Sequence, residues 1–124
     1  MIAYKRPKAL VLDDELPFAK LFTMMMVMVG WDCEVITGQE KALARLKAEH
    51  FDVLITDYPM PQGNGFHFIC CLRRDGITLP AIVMSGDAQV LEITPKDLLY
   101  IPSVLHKPFT ASELRAALAK ISLA

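Results

Sequence analysis

Charged and hydroxyl side chains follow several apolar runs of the sequence, at the residue where each run ends. Asp13 and Asp14 follow ALVL, and Asp57 follows DVLIT. Ser85 and Lys107 come after AIVM and SVLH. Carboxylate oxygens suit a hard divalent ion such as Mg²⁺, and a carboxylate can attack phosphorus once a metal neutralises the incoming charge. These residue types indicate phosphoryl chemistry, provided that the fold brings them together.

The apolar runs have the length and composition of buried strands. They are nearly continuous in Val, Ile and Leu, which is typical of strands covered on both faces of a parallel sheet. We predict five strands, at 9–14, 33–38, 52–57, 80–86 and 103–108. We predict helices at 16–29, 39–50, 65–74 and 110–121, with a further short segment near 95–100. Strand and helix alternate along the chain, so the predicted fold is a three-layer α/β domain with helices on both faces of a five-stranded parallel sheet.

Open parallel sheets with right-handed crossovers have their ligand sites at the carboxyl ends of the strands. The polar groups described above would then lie at one edge of the sheet. Two carboxylates 4 Å apart repel by about 1 kcal/mol in water and by about 4 kcal/mol at an effective dielectric constant of 20, so we expect a cation between them. Ser85 would donate a hydrogen bond to one phosphoryl oxygen, and Lys107 would pair with another.

Each of these residues, taken singly, has a structural alternative. Asp13 or Asp14 could cap the helix that follows, because Asp is a favoured N-cap and Pro17 suits a first turn. Asp57 could be a turn residue, and Ser85 an ordinary strand-end serine. Four aligned positions on one edge of one sheet favour a functional site.

The motifs together resemble the response-regulator receiver domain of two-component signalling. The matching segments are DDE after the first strand, LITDYPMPQGNGF with its D-x-x-M-P-x-x-x-G pattern, IVMSGD and HKPF, in family order and at family spacing. The resemblance covers essentially the whole chain and implies a flavodoxin-like sheet of order 2-1-3-4-5. It also implies a phospho-accepting switch without enzymatic activity beyond its own phosphorylation and dephosphorylation.

The resemblance assigns roles to the acidic residues. Asp57 would be the phosphoacceptor, and its phosphoryl donor would be a phosphohistidine on a sensor histidine kinase or a histidine phosphotransfer protein. Asp13 and Asp14 would form the acidic pair that binds Mg²⁺ together with Asp57 and the backbone carbonyl of Pro59.

The resemblance also assigns roles at the last two strand ends. Ser85 takes the place of the hydroxyl residue that contacts the phosphoryl group, and Lys107 takes the place of the family's lysine. The bond between Lys107 and Pro108 is implied to be cis, as a proline peptide can be.

The sequence departs from the family pattern in the second half of the chain. Val104 stands three residues before the lysine, where the family usually has Tyr or Phe. A proline inside a helix costs about 3 kcal/mol, so we predict that Pro95 begins a short helix with Thr94 as its N-cap. The fourth helix of the family would then be shortened or irregular, with Tyr100 as a substitute reporter of phosphorylation.

The first predicted helix is unusually rich in methionine. Met24, Met25, Met26 and Met28 cannot all face one way at about 100° per residue. Flexible methionine surfaces suit partner docking, and in the family the histidine-containing donor commonly docks on this helix. Docking, self-association as a homodimer and a merely over-hydrophobic helix remain alternatives.

Composition excludes other classes of protein. The 124 residues suit one domain spanning 1–124, and a net charge of -1 indicates no basic surface for nucleic acid. The longest apolar run falls short of the ~20 residues of a membrane span, and no signal peptide is evident, so we expect a cytoplasmic protein. An odd number of cysteines without C-x-x-C indicates neither a disulfide framework nor a zinc site. These cysteines are Cys33, Cys70 and Cys71, and the histidines expected to be structural or at the surface are His50, His67 and His106.

Two other functions compete with the phospho-accepting switch. A degenerate receiver could act as a protein-interaction module with a non-standard or absent readout of phosphorylation, as Val104 would allow. An aspartyl-phosphate phosphohydrolase of the haloacid dehalogenase kind would need a D-x-D pattern, but Pro59 stands where the second Asp would be.

Overall fold

Strands and helices alternate along the chain in the computed structural model, which describes residues 6–60, 63–86 and 103–121. The elements are, in chain order, β1 (Lys8–Leu12), α1 (Leu16–Met28), β2 (Asp32–Ile36), α2 (Gln39–Ala48), β3 (Val53–Asp57), β4 (Pro59–Met60), β5 (Gly63–Asn64), α3 (Gly65–Arg74), β6 (Ala81–Ser85), β7 (Ser103–His106) and α4 (Ala111–Ala119). The five predicted strands and the four predicted helices that lie within these residues are confirmed, and their ends differ from the prediction by no more than two residues.

The main sheet is parallel throughout and has the order β2-β1-β3-β6-β7. Counted over these five strands alone, this is the predicted order 2-1-3-4-5, which is confirmed. The register brings the strand ends level, because Leu12 pairs with Thr56 and Asp57 pairs with Met84. The carboxyl ends of the strands therefore lie at one edge of the sheet, as expected.

Alternate residues of each strand pack against opposite layers of helices, which explains why the strand sequences are continuously apolar. One hydrophobic cluster lies on the face covered by α1 and α4, and we call it the α1/α4 cluster. Its buried members are Ala9, Val11, Phe22, Met26, Trp31, Val53, Ile55, Ile82, Met84, Leu105, Leu114, Ala117 and Leu118. The α2/α3 cluster lies on the other face, with the buried members Leu10, Leu12, Ala42, Phe51, Leu54, Phe66, Phe68, Ile69, Leu72, Ala81 and Val83.

Helix starts follow local sequence signals. Pro17 lies in the first turn of α1, where its missing amide donor is not needed. The Asn64 side chain accepts a hydrogen bond from the backbone N–H of His67 and caps α3. Thr110 and Glu113 form a reciprocal capping box. Helix α4 therefore begins at Ala111, one residue later than predicted.

The hairpin formed by β4 and β5 was not predicted. Pro59 pairs with Asn64, and Met60 pairs with Gly63, in antiparallel register. Gly63 has a φ of 124°, a backbone conformation that favours glycine. Strands of two residues have no detectable periodicity, so the sequence pattern did not indicate them.

The methionines of α1 face different directions, as predicted. Met26 is fully buried, whereas Met24 and Met28 are 65% and 71% exposed. Leu21 and Val27 are also largely exposed. Helix α1 therefore presents apolar side chains to solvent as well as to the core.

Other sequence expectations have mixed outcomes. The three histidines lie at the surface, as predicted, and the three cysteines are free thiols. The predicted short helix near 95–100, with its Thr94 cap, Pro95 and the substitute reporter Tyr100, lies outside the described residues. No helix within the described parts of the chain has the length and apolarity needed to cross a membrane.

Candidate functional site

Three charged side chains meet at the carboxyl edge of the sheet. Asp13 and Lys107 directly follow β1 and β7, and Asp57 is the last residue of β3. Each lies two positions after a strand residue of the α1/α4 cluster, and side chains two apart on a strand share a face. The ammonium Nζ of Lys107 lies 2.9 Å from Asp57 Oδ1 and 3.9 Å from Asp13 Oδ2. Strand periodicity and register therefore bring these residues together.

Both carboxylates are buried, and they differ in the contacts of their oxygen atoms. Asp13 is 1% exposed and Asp57 is 6% exposed. Burial raises the pKa of Asp13, and the nearby Asp57 charge raises it further, against the lowering effect of a hydrogen bond from the Glu15 backbone. That bond occupies Oδ1 of Asp13, at 2.9 Å, while Oδ2 has no hydrogen-bond partner within the described residues. A buried acceptor oxygen beside a second carboxylate is a place that suits a cation.

The two residues of the acidic pair differ in environment. Asp13 is buried and faces Asp57, whereas Asp14 is exposed. Over residues 6–60, 63–86 and 103–121, no group of three or more acidic, histidine or cysteine side chains has a geometry that could hold a metal. Pro59 is exposed and lies in the β4–β5 hairpin, two residues after Asp57. The roles of Asp14 and Pro59 as metal ligands stay predictions.

Ser85 positions the lysine segment through its backbone. The Ser85 carbonyl accepts a hydrogen bond of 2.7 Å from the backbone N–H of Lys107. Its side chain is fully buried, and its hydroxyl donates to the carbonyl of Gly86 at 2.9 Å. The predicted contact of this hydroxyl with a phosphoryl oxygen stays a prediction, and making it requires the hydroxyl to leave the Gly86 carbonyl.

The Lys107–Pro108 peptide bond is cis, as the resemblance implied.

An aromatic ring lies beside the Lys107 ammonium, and the sequence analysis did not predict this contact. The Lys107 Nζ lies 4.2 Å from the ring centroid of Phe18 on α1. The Phe18 ring in turn contacts the rings of Phe22 and Phe109. No local pattern connects Phe18 with Lys107, because the two meet only when α1 packs on the sheet.

The backbone around Asp57 is held from the opposite face. A Cβ atom on Gly65 would lie 2.7 Å from the Asp57 carbonyl oxygen, so the first residue of α3 must be glycine for this close approach. The Gly65 N–H donates to the Tyr58 carbonyl, and the Tyr58 N–H donates to the Met84 carbonyl. Gly65 therefore serves close packing against the strand that ends in Asp57.

Comparisons with known proteins agree with the fold. The model of the response regulator receiver domain family matches residues 9–119. Sensor protein EvgS of Escherichia coli is 29% identical over 112 residues, which are 90% of this chain and 9% of EvgS. Transcriptional regulatory protein BasR of Escherichia coli is 26% identical over 110 residues, which are 88% of this chain and 49% of BasR. The chain thus spans about half, or much less, of the length of these relatives.

Solved structures show the same fold. The receiver domain of the Francisella response regulator 1452 is 28% identical, with a TM-score of 0.79 and coverage of 93% of this chain and 95% of that one. A sensor protein from Polaromonas is 26% identical, with a TM-score of 0.83 and coverage of 94% and 96%. A CheY-like receiver domain from Methylobacillus flagellatus is 21% identical and shares the fold, with a TM-score of 0.84 and coverage of 95% and 100%.

Proposed function

Because the chain belongs to the response regulator receiver domain family of two-component systems, we propose that it accepts a phosphoryl group on Asp57 and thereby switches a protein–protein surface. The phosphoryl donor is a phosphohistidine of a sensor histidine kinase or of a histidine phosphotransfer protein. In the transfer, a carboxylate oxygen of Asp57 forms a bond to phosphorus while the phosphorus–nitrogen bond of the donor breaks. The imidazole nitrogen keeps that electron pair.

The observation that supports this function is the buried charge group at the carboxyl edge of the sheet. Asp57 lies at the end of a central strand with the Lys107 ammonium 2.9 Å from Oδ1. Phosphorylation adds negative charge, and in this pocket Lys107 is the cation placed to pair with it. Asp57 would be the nucleophile, and Lys107 would bind a phosphoryl oxygen after the transfer.

The acidic residues fit a bound divalent cation. The buried Oδ2 of Asp13, which has no hydrogen-bond partner among the described residues, lies on the same side of the sheet as the Asp57 carboxylate. Hard oxygen donors of this kind suit Mg²⁺. The proposed ligands are Asp13, Asp14, Asp57 and the backbone carbonyl of Pro59. Bound Mg²⁺ would neutralise the carboxylates and the incoming phosphoryl oxygens.

Helix α1 is the proposed docking surface for the donor. Its exposed apolar residues include Leu21, Met24, Val27 and Met28, and flexible methionine side chains adapt to partner surfaces. Self-association through the same residues is a second use of this surface. Because both complexes would use the same residues of α1, the homodimer and the donor complex would be mutually exclusive.

A second candidate function is an interaction module whose surface does not read out phosphorylation in the usual way. Val104 favours it, because this half-buried side chain pairs with Val83 and packs with the α2/α3 cluster where the resemblance implies a Tyr or Phe. Such a module would bind its partner equally well with and without a phosphoryl group on Asp57. Nothing favours the phosphohydrolase alternative, because Pro59 occupies the place of its acid/base Asp.

Intact-mass spectrometry after incubation with Mg²⁺ and a small acyl phosphate tests the function. We expect the added mass of one phosphoryl group in the parent protein, and loss of that mass in Asp57→Asn or with a chelator. Asp75→Asn, which changes an exposed carboxylate at the end of α3, is the matched control and should react like the parent. A parent protein that no acyl phosphate or phosphohistidine donor modifies, or an Asp57→Asn variant that is still modified, contradicts the assignment.

A further inference from the structure

The ammonium of Lys107 has a third neighbour besides the two carboxylates. Its Nζ lies 4.2 Å from the centroid of the Phe18 ring. A cation within about 6 Å of a ring centroid is attracted by the negative face of the ring. The Lys107 side chain is only 18% exposed, so little water competes with this contact. The ammonium is therefore held between Asp57 and an aromatic ring.

The ring of Phe18 belongs to a group of three aromatic rings. Its ring centroid lies 5.9 Å from that of Phe22 and 6.1 Å from that of Phe109. Phe22 and Phe109 are themselves 5.8 Å apart in an edge-to-face arrangement. Phe22 is fully buried in the α1/α4 cluster. Phe18 thus sits at the margin of a packed aromatic group, with one side toward the core and one toward the ammonium.

Phe22 provides a comparison within the same helix. Both rings belong to one aromatic group and lie one turn apart on α1, but the ring beside the Lys107 ammonium is that of Phe18. If Phe18 served only core packing, replacing either ring should have the same kind of effect. If Phe18 positions Lys107, only its replacement should affect the lysine.

We propose that Phe18 is a positioning residue for Lys107: its ring holds the ammonium beside Asp57, ready to pair with a phosphoryl oxygen, and ties that ammonium to helix α1. This role rests on the proposed function of Asp57. Without the ring, the flexible four-carbon stem of Lys107 gains other rotamers, and the ammonium spends less time in the reactive arrangement. When the ammonium moves toward a phosphoryl group, its contact with α1 changes as well.

The first measurement uses the unphosphorylated protein. In NMR spectra of the parent, the ring current of Phe18 should shift the side-chain Hε protons of Lys107 upfield from those of the other lysines. Phe18→Leu should return these protons to the ordinary lysine position. Phe18→Tyr keeps an aromatic face and should retain the upfield shift, and so should the matched control Phe22→Leu.

The second measurement is the rate of Asp57 phosphorylation by an acyl phosphate with Mg²⁺. We expect Phe18→Leu to react about fivefold more slowly than the parent, which corresponds to about 1 kcal/mol. Phe18→Tyr should restore the rate, whereas Phe22→Leu should lower the stability and leave the rate unchanged. If Phe18→Leu fails to fold, Phe18→Met replaces it, and the chemical shifts of the parent are informative without any variant.

The outcomes separate this role from the proposed function. A parent that is never phosphorylated refutes the proposed function, while the chemical shifts still decide whether Phe18 holds the ammonium. Ordinary Lys107 shifts in the parent, an unaltered rate in Phe18→Leu, or equal losses in Phe18→Leu and Phe22→Leu would each overturn the positioning role.

Discussion

The two faces of the sheet reach the candidate site in different ways. The face covered by α1 and α4 contributes side chains: Asp13, Asp57 and Lys107 lie on this side, and the ring of Phe18 adjoins the ammonium. The face covered by α2 and α3 contributes backbone, because Gly65 lies against the Asp57 carbonyl. One face carries the charged side chains of the site, and the other packs against the main chain that carries Asp57.

This difference bears on how a change at Asp57 could spread. Val104 belongs to the α2/α3 face, where its half-buried side chain replaces the ring that the family resemblance implies. On the α1/α4 face, Lys107 contacts Phe18, and Phe18 contacts Phe22 and Phe109. The aromatic contacts of the lysine thus connect it to α1, the helix with exposed Leu and Met side chains.

The largest effect on the α1/α4 face is expected from Lys107→Ala. The change leaves the buried Asp13 and Asp57 carboxylates without their ammonium, and removing one partner of a buried ion pair costs about 3 kcal/mol or more. Urea denaturation in the presence of a chelator should show this loss in the free energy of unfolding. Adding Mg²⁺ should recover more stability in Lys107→Ala than in the parent. The control Lys47→Ala changes an exposed lysine near the end of α2 and should stay within about 0.5 kcal/mol of the parent. Equal losses of stability in the two variants would contradict the stabilisation of Asp13 and Asp57 by Lys107.

A change on the α2/α3 face should have a smaller effect on stability. Gly65→Ala places a Cβ atom 2.7 Å from the Asp57 carbonyl oxygen, and overpacking of this kind costs about 2 kcal/mol. We expect a lower urea midpoint and slower phosphorylation, because α3 and the end of β3 must move apart. Gly86→Ala is the control, because a Cβ atom there meets no described atom within 4 Å. A Gly65→Ala variant as stable as Gly86→Ala would show that the close approach carries no strain.

The smallest effect, and one of opposite sign, is expected from Asp13→Asn in metal-free buffer. The pKa of Asp13 is raised by burial, so its ionised form destabilises the folded state, and this cost grows as the pH rises through the folded-state pKa. Removing the charge should therefore stabilise the protein by about 1 kcal/mol at pH 7. The gain should disappear below the ordinary pKa of 3.8, where Asp13 is protonated in both states. A loss of stability in Asp13→Asn at pH 7 would contradict the prediction.

Local patterns were sufficient for most of the main sheet and its helices. Continuous Val, Ile and Leu runs located the five strands, and Pro17 suited the first turn of α1. The caps at Asn64 and Thr110 are local signals as well, but the prediction did not use them. The β4–β5 pairing was missed because strands of two residues are too short to show a periodic pattern.

The candidate site was predictable to the extent that it depends on strand ends. Asp13, Asp57 and Lys107 could be expected at one edge, because parallel strands end at the same edge and side chains two apart on a strand share a face. The sequence could not rank the acidic pair, since Asp13 and Asp14 are adjacent and chemically identical. Only the packed fold buries Asp13 and leaves Asp14 exposed.

The sequence by itself therefore determined the order of the elements, the residues at their ends and the chemistry available there. The tertiary structure decided which groups touch: Phe18 contacts Lys107, and Gly65 contacts the Asp57 carbonyl. It also left Oδ2 of Asp13 without a hydrogen-bond partner among the described residues. The physical reason is the distance along the chain over which each interaction acts. Strand and helix signals act over a few residues along the chain, whereas these contacts join residues that are distant in sequence and come within a few ångströms only when the helices pack on the sheet.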